Sequence, residues 1–317
     1  MGSFLIRRTL LVVPVMFGVT VLIFLALHLA PGNPAQLLLG PMATPQALHQ
    51  ITVQLGLNQP LPVQYLKWLG SLLQGNMGQS IQLHEAVNTL VMSKLGHTLI
   101  LAVSAFVLAS VVGIGLGILA GIKEGSWIDV VVNVAGFTGL SLPVFWLGLI
   151  AILIFGLKLH WVPVTGMYGV GVAGTLGQLL SHLILPAATL AVAPGAVIAQ
   201  LTRVAFIEER HQLYVRTAVA KGLSPTRAAL RHALRNAWIP IVTTLGLEIS
   251  YLIGGDVLVE TIFNWPGIGQ LLVESVLARD YPTILGASVV LAAIFVLINF
   301  AIDALYPLMD PRVKASG

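Results

Sequence analysis

Arg203–Arg235 reads RVAFIEERHQLYVRTAVAKGLSPTRAALRHALR, a basic, hydrophilic loop between long apolar segments. The chain holds 16 Lys+Arg and 12 Asp+Glu in 317 residues, and nine of these charges fall in this loop. Its punctuation predicts a shape. Gly222 suits the left-handed cap that ends a helix, Ser224 can cap the next helix, and Pro225 fits that helix's first position. The loop therefore reads as a helix, a sharp corner and a second helix. On the second helix Arg227, Arg231 and Arg235 recur at i, i+4 and i+8, and Leu230, Leu234 and Trp238 make another stripe. Like charges at that spacing mildly destabilise a helix, so they need a reason. One is a basic face lying on anionic lipid with snorkelling side chains. Another is a hairpin inserted into a pocket of a partner protein, which suits the small residues Ala218, Ala220 and Gly222 at the elbow.

The rest of the chain places this loop. It is 57% hydrophobic and 9% charged, where a soluble domain carries about 25% charged residues. That composition indicates a polytopic membrane protein. Without cysteine there is no disulfide, thiolate metal site or cysteine nucleophile. The net charge of +4 needs no nucleic acid to explain it, because basic residues collect on cytoplasmic loops. The run Thr9–Leu29 is longer than a signal-peptide core of about 7–15 residues, so it reads as a retained first transmembrane helix.

A helix needs about 20 apolar residues to cross the hydrocarbon core. Six segments qualify: Thr9–Leu29, Thr98–Gly121, Val130–Phe155, Leu179–Val204, Ile239–Val259 and Thr283–Leu308. None shows the short alternating segments of a β-barrel. With the N-terminus cytoplasmic, twelve Lys and Arg lie inside and four outside. This positive-inside bias puts both termini and the basic loop in the cytoplasm. The fold expected is all-α integral membrane, with a long external segment after the first helix. Residues 1–97 form the first helix plus a small external subdomain. Residues 98–308 form a five-helix core containing the cytoplasmic loop 205–236, and 309–317 a cytoplasmic tail. Glu260–Pro282 reads as an external loop with a turn at Trp265-Pro266-Gly267 and an amphipathic helix carrying Leu271, Leu272 and Val276.

Carboxylates within membrane spans are costly and usually face a cavity or a partner. Glu248 lies near the middle of the fifth span, and Asp256 lies about 12 Å further along the axis. Glu248 is read as lining a pathway, bonding a neighbouring helix or relaying protons. Asp256 lies near the outer mouth, and Asp303 is read as structural. Pro186, Pro194 and Gly195 in the fourth span suit a bent pathway-lining helix or a merely packed one. Gly113, Gly117 and Gly121 form a close-packing row. The eight histidines show no metal-ligand spacing. No GxxxxGK[ST] phosphate loop is present, so this chain cannot hydrolyse ATP alone.

YVRTAVAKGLSPTRAALRHALRNAWIP resembles the cytoplasmic coupling motif of ABC importer permeases, in their dipeptide, oligopeptide and nickel subgroup. The resemblance extends through FLIRRTLLVVPVMFGVTVLIF, LHLAPGNPA, LGLNQPLPVQYLKWL, GNMGQS, SLPVFWLGL, LPAATLAV, ETIFNWPGIGQLL, RDYPTILG and NFAIDALYPLMDPR. Two departures from the general motif, at Arg216-Thr217-Ala218 and His232-Ala233-Leu234-Arg235, are similar to the peptide subgroup's own version. Two others, Gly32-Asn33-Pro34 and Gly75-Asn76-Met77-Gly78, each replace an external acid of the family pattern with Asn.

The resemblance implies a permease subunit of an ATP-driven importer that moves di- or oligopeptides by alternating access. It implies a homologous second permease, two cytoplasmic ATP-binding subunits that use ATP and Mg, an extracytoplasmic substrate-binding protein and a prokaryotic inner membrane. This chain would bind no cofactor, metal or nucleic acid and catalyse no reaction. By resemblance Tyr214, Arg216, Thr217, Ala218, Lys221 and Gly222 form the joint with the ATPase. Glu248, Asp256 and Pro194 would line the substrate pathway, and Trp265, Gly267, Arg279 and Asp280 would meet the binding protein. The same machinery importing nickel, a metal chelate or glutathione is the alternative. An ion-coupled secondary transporter using Glu248 and Asp256 is the reading from a different class.

Overall fold

The computed structural model describes residues 2–29, 44–54, 56, 58–169, 171 and 174–309. Among them the structure is helical, with one isolated antiparallel bridge between Gln79 and Ala86. Helix α1 is Gly2–Leu29, α2 Pro45–Gln54, α3 Leu61–Leu73, α4 Val87–Ile122, α5 Trp127–Ser141 and α6 Val144–Ala151. Then come α7 Leu176–Arg210, α8 Leu213–Ala220, α9 Pro225–Ala228, α10 Leu234–Ile262, α11 Ile268–Ala278 and α12 Tyr281–Met309. Wider π-helical turns extend α6 over Ile152–Lys158 and join α9 to α10 over Ala229–Ala233.

Among the described residues four helices are long and apolar enough to cross a membrane: α1 over Thr9–Leu29, α4, α7, and α12 over Tyr281–Ala304. A fifth crossing exists if the bent pair Trp127–Ser141 and Val144–Lys158 counts as one. The continuous span expected at Val130–Phe155 is instead broken, with a bend of 106° between its halves. Proline explains the break. Pro143 disfavours helical geometry at the residue before it and has no N–H to donate, and Leu142 is extended at φ −87°, ψ 129°. The remaining expected span, Ile239–Val259, falls within the 29 residues of α10.

Two compact units emerge. One comprises Thr98–Trp265 and the chain from Ile298 on; the other comprises Gly2–His97 and Pro266–Leu297. The region expected at 1–97 therefore shares its core with 266–297, because Val87, Leu90 and Val91 pack with Ile268, Leu271, Ala287 and Val290. In that unit α3 lies on α1. The Tyr65 hydroxyl is 2.9 Å from Thr20 Oγ1, and its ring meets Phe17 and Phe24 edge-on.

In the other unit α7 is the central helix, with 56% of its most apolar stretch buried, against 11% for α1. The glycine row on α4 makes this possible. A Cβ at Gly113 would lie 2.7 Å from the Gly195 carbonyl oxygen, and one at Gly117 2.5 Å from that of Ala199. Only bare backbone permits that approach. Pro186 and Pro194 are both buried inside α7, which runs as one element of 35 residues.

Candidate functional site

The hairpin forms where α7 gives out. Gln212 is extended at φ −66°, ψ 150°, and α8 starts at Leu213. Its end is a Schellman cap. Gly222 has φ 97°, its N–H donates to Val219 O at 2.9 Å, and Leu223 N–H donates to Ala218 O at 3.2 Å. These bonds satisfy carbonyls that the helix end leaves open, in a conformation glycine adopts without a Cβ penalty.

Pro225 takes the first helical position, as expected. Ser224 stands at the N-cap, but its side chain makes no capping bond. The arginine stripe is also modified. Arg227 lies in α9, Arg231 in the π turn and Arg235 in α10. The π turn bonds i to i+5, so four-residue spacing does not keep these side chains in one straight row.

Small residues make the inner face of the hairpin. Phe206, Val215, Ala228, Ala229 and Ala233 form a buried cluster, with Ala218 and Leu223 packed partly against it. Of the stripe Leu230, Leu234 and Trp238, Leu234 alone packs partly against the buried residues. Leu230 and Trp238 are exposed, while Ala233, Ala237 and Ile241 are buried.

The outer face carries five of the six residues assigned to the joint. Tyr214, Arg216, Thr217, Lys221 and Gly222 are exposed, and Ala218 is partly buried. Tyr214 Oη donates to Glu209 Oε2 at 2.5 Å. Partial burial, and then the Glu209 carboxylate, push the phenol above its usual pKa and keep it protonated.

Charged anchors hold the hairpin's root. Arg210 Nη1 donates to Gly121 O at 2.7 Å and to Ile122 O at 3.2 Å, closing the C-terminus of α4. His211 Nε2 lies 3.1 Å from Glu124 Oε2. Seven residues earlier on α7, Arg203 grips Asp129 with two parallel bonds, Nε to Oδ1 at 2.5 Å and Nη2 to Oδ2 at 2.7 Å. Asp129 is 4% exposed and also accepts from Gly125 N and Asn133 Nδ2. It sits in the first turn of α5, where the helix dipole favours a negative charge.

Sequence reasoning missed Asp129 and treated Arg203 only as a loop cation. A local signal was available in Ser126-x-x-Asp129, a capping pattern before an apolar run; the Asp129 N–H donates to Ser126 Oγ at 3.5 Å.

The residues assigned to the pathway are scattered in environment. Glu248 is partly buried on α10, and Pro194 is buried within α7. Asp256 lies on α10, but its side chain falls outside the described residues. Of the four assigned to external docking, only Arg279 is exposed. Trp265 is fully buried, Gly267 is buried, and Asp280 is 2% exposed. Asp280 instead accepts hydrogen bonds from Ser80 Oγ, Ile81 N and Thr283 Oγ1 at 2.5, 3.1 and 2.8 Å. Glu260 is fully buried and accepts from Thr98 Oγ1 at 2.6 Å. Asn33 lies outside the described residues. Among the described residues no three His, Asp or Glu are grouped to hold a metal ion.

A family model described as "Binding-protein-dependent transport system inner membrane component" matches residues 113–315. A second, described as "Binding-prot-dependent transport system membrane comp, N-term", matches residues 1–102. The chain is 40% identical over 337 residues to the di/tripeptide transport system permease protein DppB of Pseudomonas aeruginosa (strain UCBPP-PA14), with 99% of each chain covered. It is 40% identical over 315 residues to the oligopeptide transport system permease protein AppB of Bacillus subtilis (strain 168), covering 99% of this chain and 100% of that one. It is 38% identical over 314 residues to the glutathione transport system permease protein GsiC of Escherichia coli O6:H1, with 99% of each covered. A solved chain of the MetNI methionine ABC transporter, in inward-facing conformations, is similar in fold with a TM-score of 0.52 at 16% identity. The similarity covers 70% of this chain and 96% of that one.

Proposed function

The chain belongs to the family of binding-protein-dependent transport system inner membrane components, and from that premise we propose that it forms one half of a peptide-conducting pathway driven by partner ATPases. As an ABC importer permease it is a multi-pass membrane protein and a non-catalytic component of its transporter. The finer reading has six spans, with α10 as the fifth and both termini in the cytoplasm. A second, homologous permease completes the pathway. Two cytoplasmic ATP-binding subunits hydrolyse ATP with Mg, and an external binding protein delivers substrate.

The observation that carries this reading is the hairpin of α8 and α9. Its packing residues are turned inward, and Tyr214, Arg216, Thr217, Lys221 and Gly222 are left exposed. ATP binding draws the partner ATPases together, the hairpin is displaced with them, and the pathway opens outward to receive substrate. Hydrolysis and release return it. Glu248 on α10 lines the pathway, and the two carboxylates that the sequence puts in this span favour a substrate bearing a cationic group.

A peptide substrate is supported by the names of the relatives, which are described as carriers of di/tripeptides, oligopeptides or glutathione. Glutathione, itself a tripeptide derivative, is the second reading that these relatives favour. The test is uptake by proteoliposomes holding both permeases, both ATPases and the binding protein. ATP-dependent uptake of labelled dipeptide is expected, with none when the ATPases are omitted. Uptake driven by a proton or sodium gradient without the ATPases would instead make the chain a secondary transporter.

A further inference from the structure

We propose that Arg203 and Asp129 are positioning residues that pass displacement of α8, carried by the end of α7, into α5, so that they set how much substrate moves per ATP hydrolysed. This rests on the reading of residues 213–222 as the element that receives the drive.

The geometry begins at the end of α7. Arg203, Phe206 and Arg210 lie on the last turns of this helix, directly before α8. Two of them reach the end of α4 and the third reaches the start of α5. Phe206 is fully buried, and a Cβ at Gly121 would lie 2.7 Å from its ring, so it presses on the end of α4. Arg210 donates to the two final carbonyls of that same helix. Arg203 holds the first turn of α5 through both Asp129 oxygens. Phe206 also packs against Val215 of α8. The hairpin, the end of α7, the end of α4 and the start of α5 are thereby tied at one level of the molecule.

The Asp129 contact differs from the other two in kind. Apolar packing and a helix-end cap tolerate small slips. A bidentate guanidinium–carboxylate pair fixes both distance and angle, and its planar fork loses little freedom on binding. The carboxylate is further held by Gly125 N at 3.0 Å and Asn133 Nδ2 at 2.8 Å, so it cannot follow Arg203 by swinging. Displacement of α7 must therefore carry α5 with it or break the pair. Breaking one partner of a buried pair leaves a charge uncompensated, which makes the joint stiff.

The test compares transport per ATP hydrolysed in the full reconstituted complex. Asp129→Asn keeps the shape but loses the charge, and Arg203→Lys keeps the charge but loses the fork. About a tenfold loss of substrate moved per ATP is expected for Asp129→Asn, and a smaller loss for Arg203→Lys, with ATP hydrolysis retained. A merely structural role would lower transport and hydrolysis together through the amount of intact complex and leave the ratio at wild type. If Asp129→Asn cannot be purified, the double variant Asp129→Asn with Arg203→Gln is measured, since it leaves no unpaired charge buried. A wild-type ratio in the variants that purify overturns the proposal, and so does loss of every variant from the membrane. Ala218→Trp in the same preparation separates the two readings. If it leaves transport and hydrolysis unchanged, the coupling assignment fails. If it lowers both while Asp129→Asn keeps the wild-type ratio, only the joint proposed here fails.

Discussion

The hairpin at 213–228 and the stretch at 265–283 both pair a sharp turn with a short helix, and both carry family-like motifs. They use their marked residues in opposite ways. In the hairpin the buried side chains are Val215 and small alanines, and the polar motif residues stand outside. In the stretch at 265–283 Trp265 and Asp280 are themselves the buried elements, and the exposed neighbour is Arg279. A motif resemblance alone does not tell a contact surface from an internal brace. Burial and hydrogen bonding do: Asp280 spends its oxygens on Ser80, Ile81 and Thr283, whereas Arg216 and Lys221 have their side chains in the open.

This contrast breaks most readily at Gly222. Proline there would need φ near about −65° and would lose the N–H that caps α8, where the observed φ is 97°. Gly222→Pro is expected to lower transport and ATPase stimulation at least about tenfold, the effect of roughly 1.4 kcal/mol, with membrane insertion intact by fractionation. Unchanged transport would remove the hairpin from the mechanism. Asp280→Ala should act on stability instead. It leaves buried donors without an acceptor, at about 1–3 kcal/mol for such a group. A lowered thermal midpoint in detergent is expected, with normal activity for each molecule that stays folded. A stable variant that fails to engage the binding protein would reverse the assignment and make Asp280 a contact residue.

The smallest effect concerns Tyr214. Its pKa lies above the ordinary 10.0, so the folded state holds the proton where the unfolded state begins to release it. Stability is therefore unaffected by this group below pH 10.0 and falls as pH rises beyond it. Tyr214→Phe should abolish that part of the alkaline fall while changing stability little at neutral pH, which denaturation profiles of the two proteins would show.

The corner of the hairpin was legible in the sequence because its determinants are local. Gly222 and Pro225 act through their own backbone preferences. The long apolar runs were legible for a similar reason, since hydropathy needs no partner. The break at Pro143 was obscured by uniform hydrophobicity on both sides, although proline's effect on Leu142 is equally local. The π turn over Ala229–Ala233 has no comparable residue signal, and around it the small residues Ala228, Ala229 and Ala233 are buried while Leu230 stays exposed. Arg203 with Asp129 and Ser80 with Asp280 are far apart in the chain, so only the folded structure brings them together. The burial of Trp265 has the same origin, because an aromatic beside Pro-Gly reads equally well as a turn surface or as a plug.

The most direct test uses the absence of cysteine in the chain. Thr217→Cys on the hairpin and Leu277→Cys on α11 both place a thiol at an exposed position, and each can be fitted with a short photo-crosslinker in the assembled complex. The account predicts that Thr217→Cys captures an ATP-binding subunit and that Leu277→Cys does not. Capture of the ATPase from position 277, or its failure from position 217 in a complex that still transports, would contradict it.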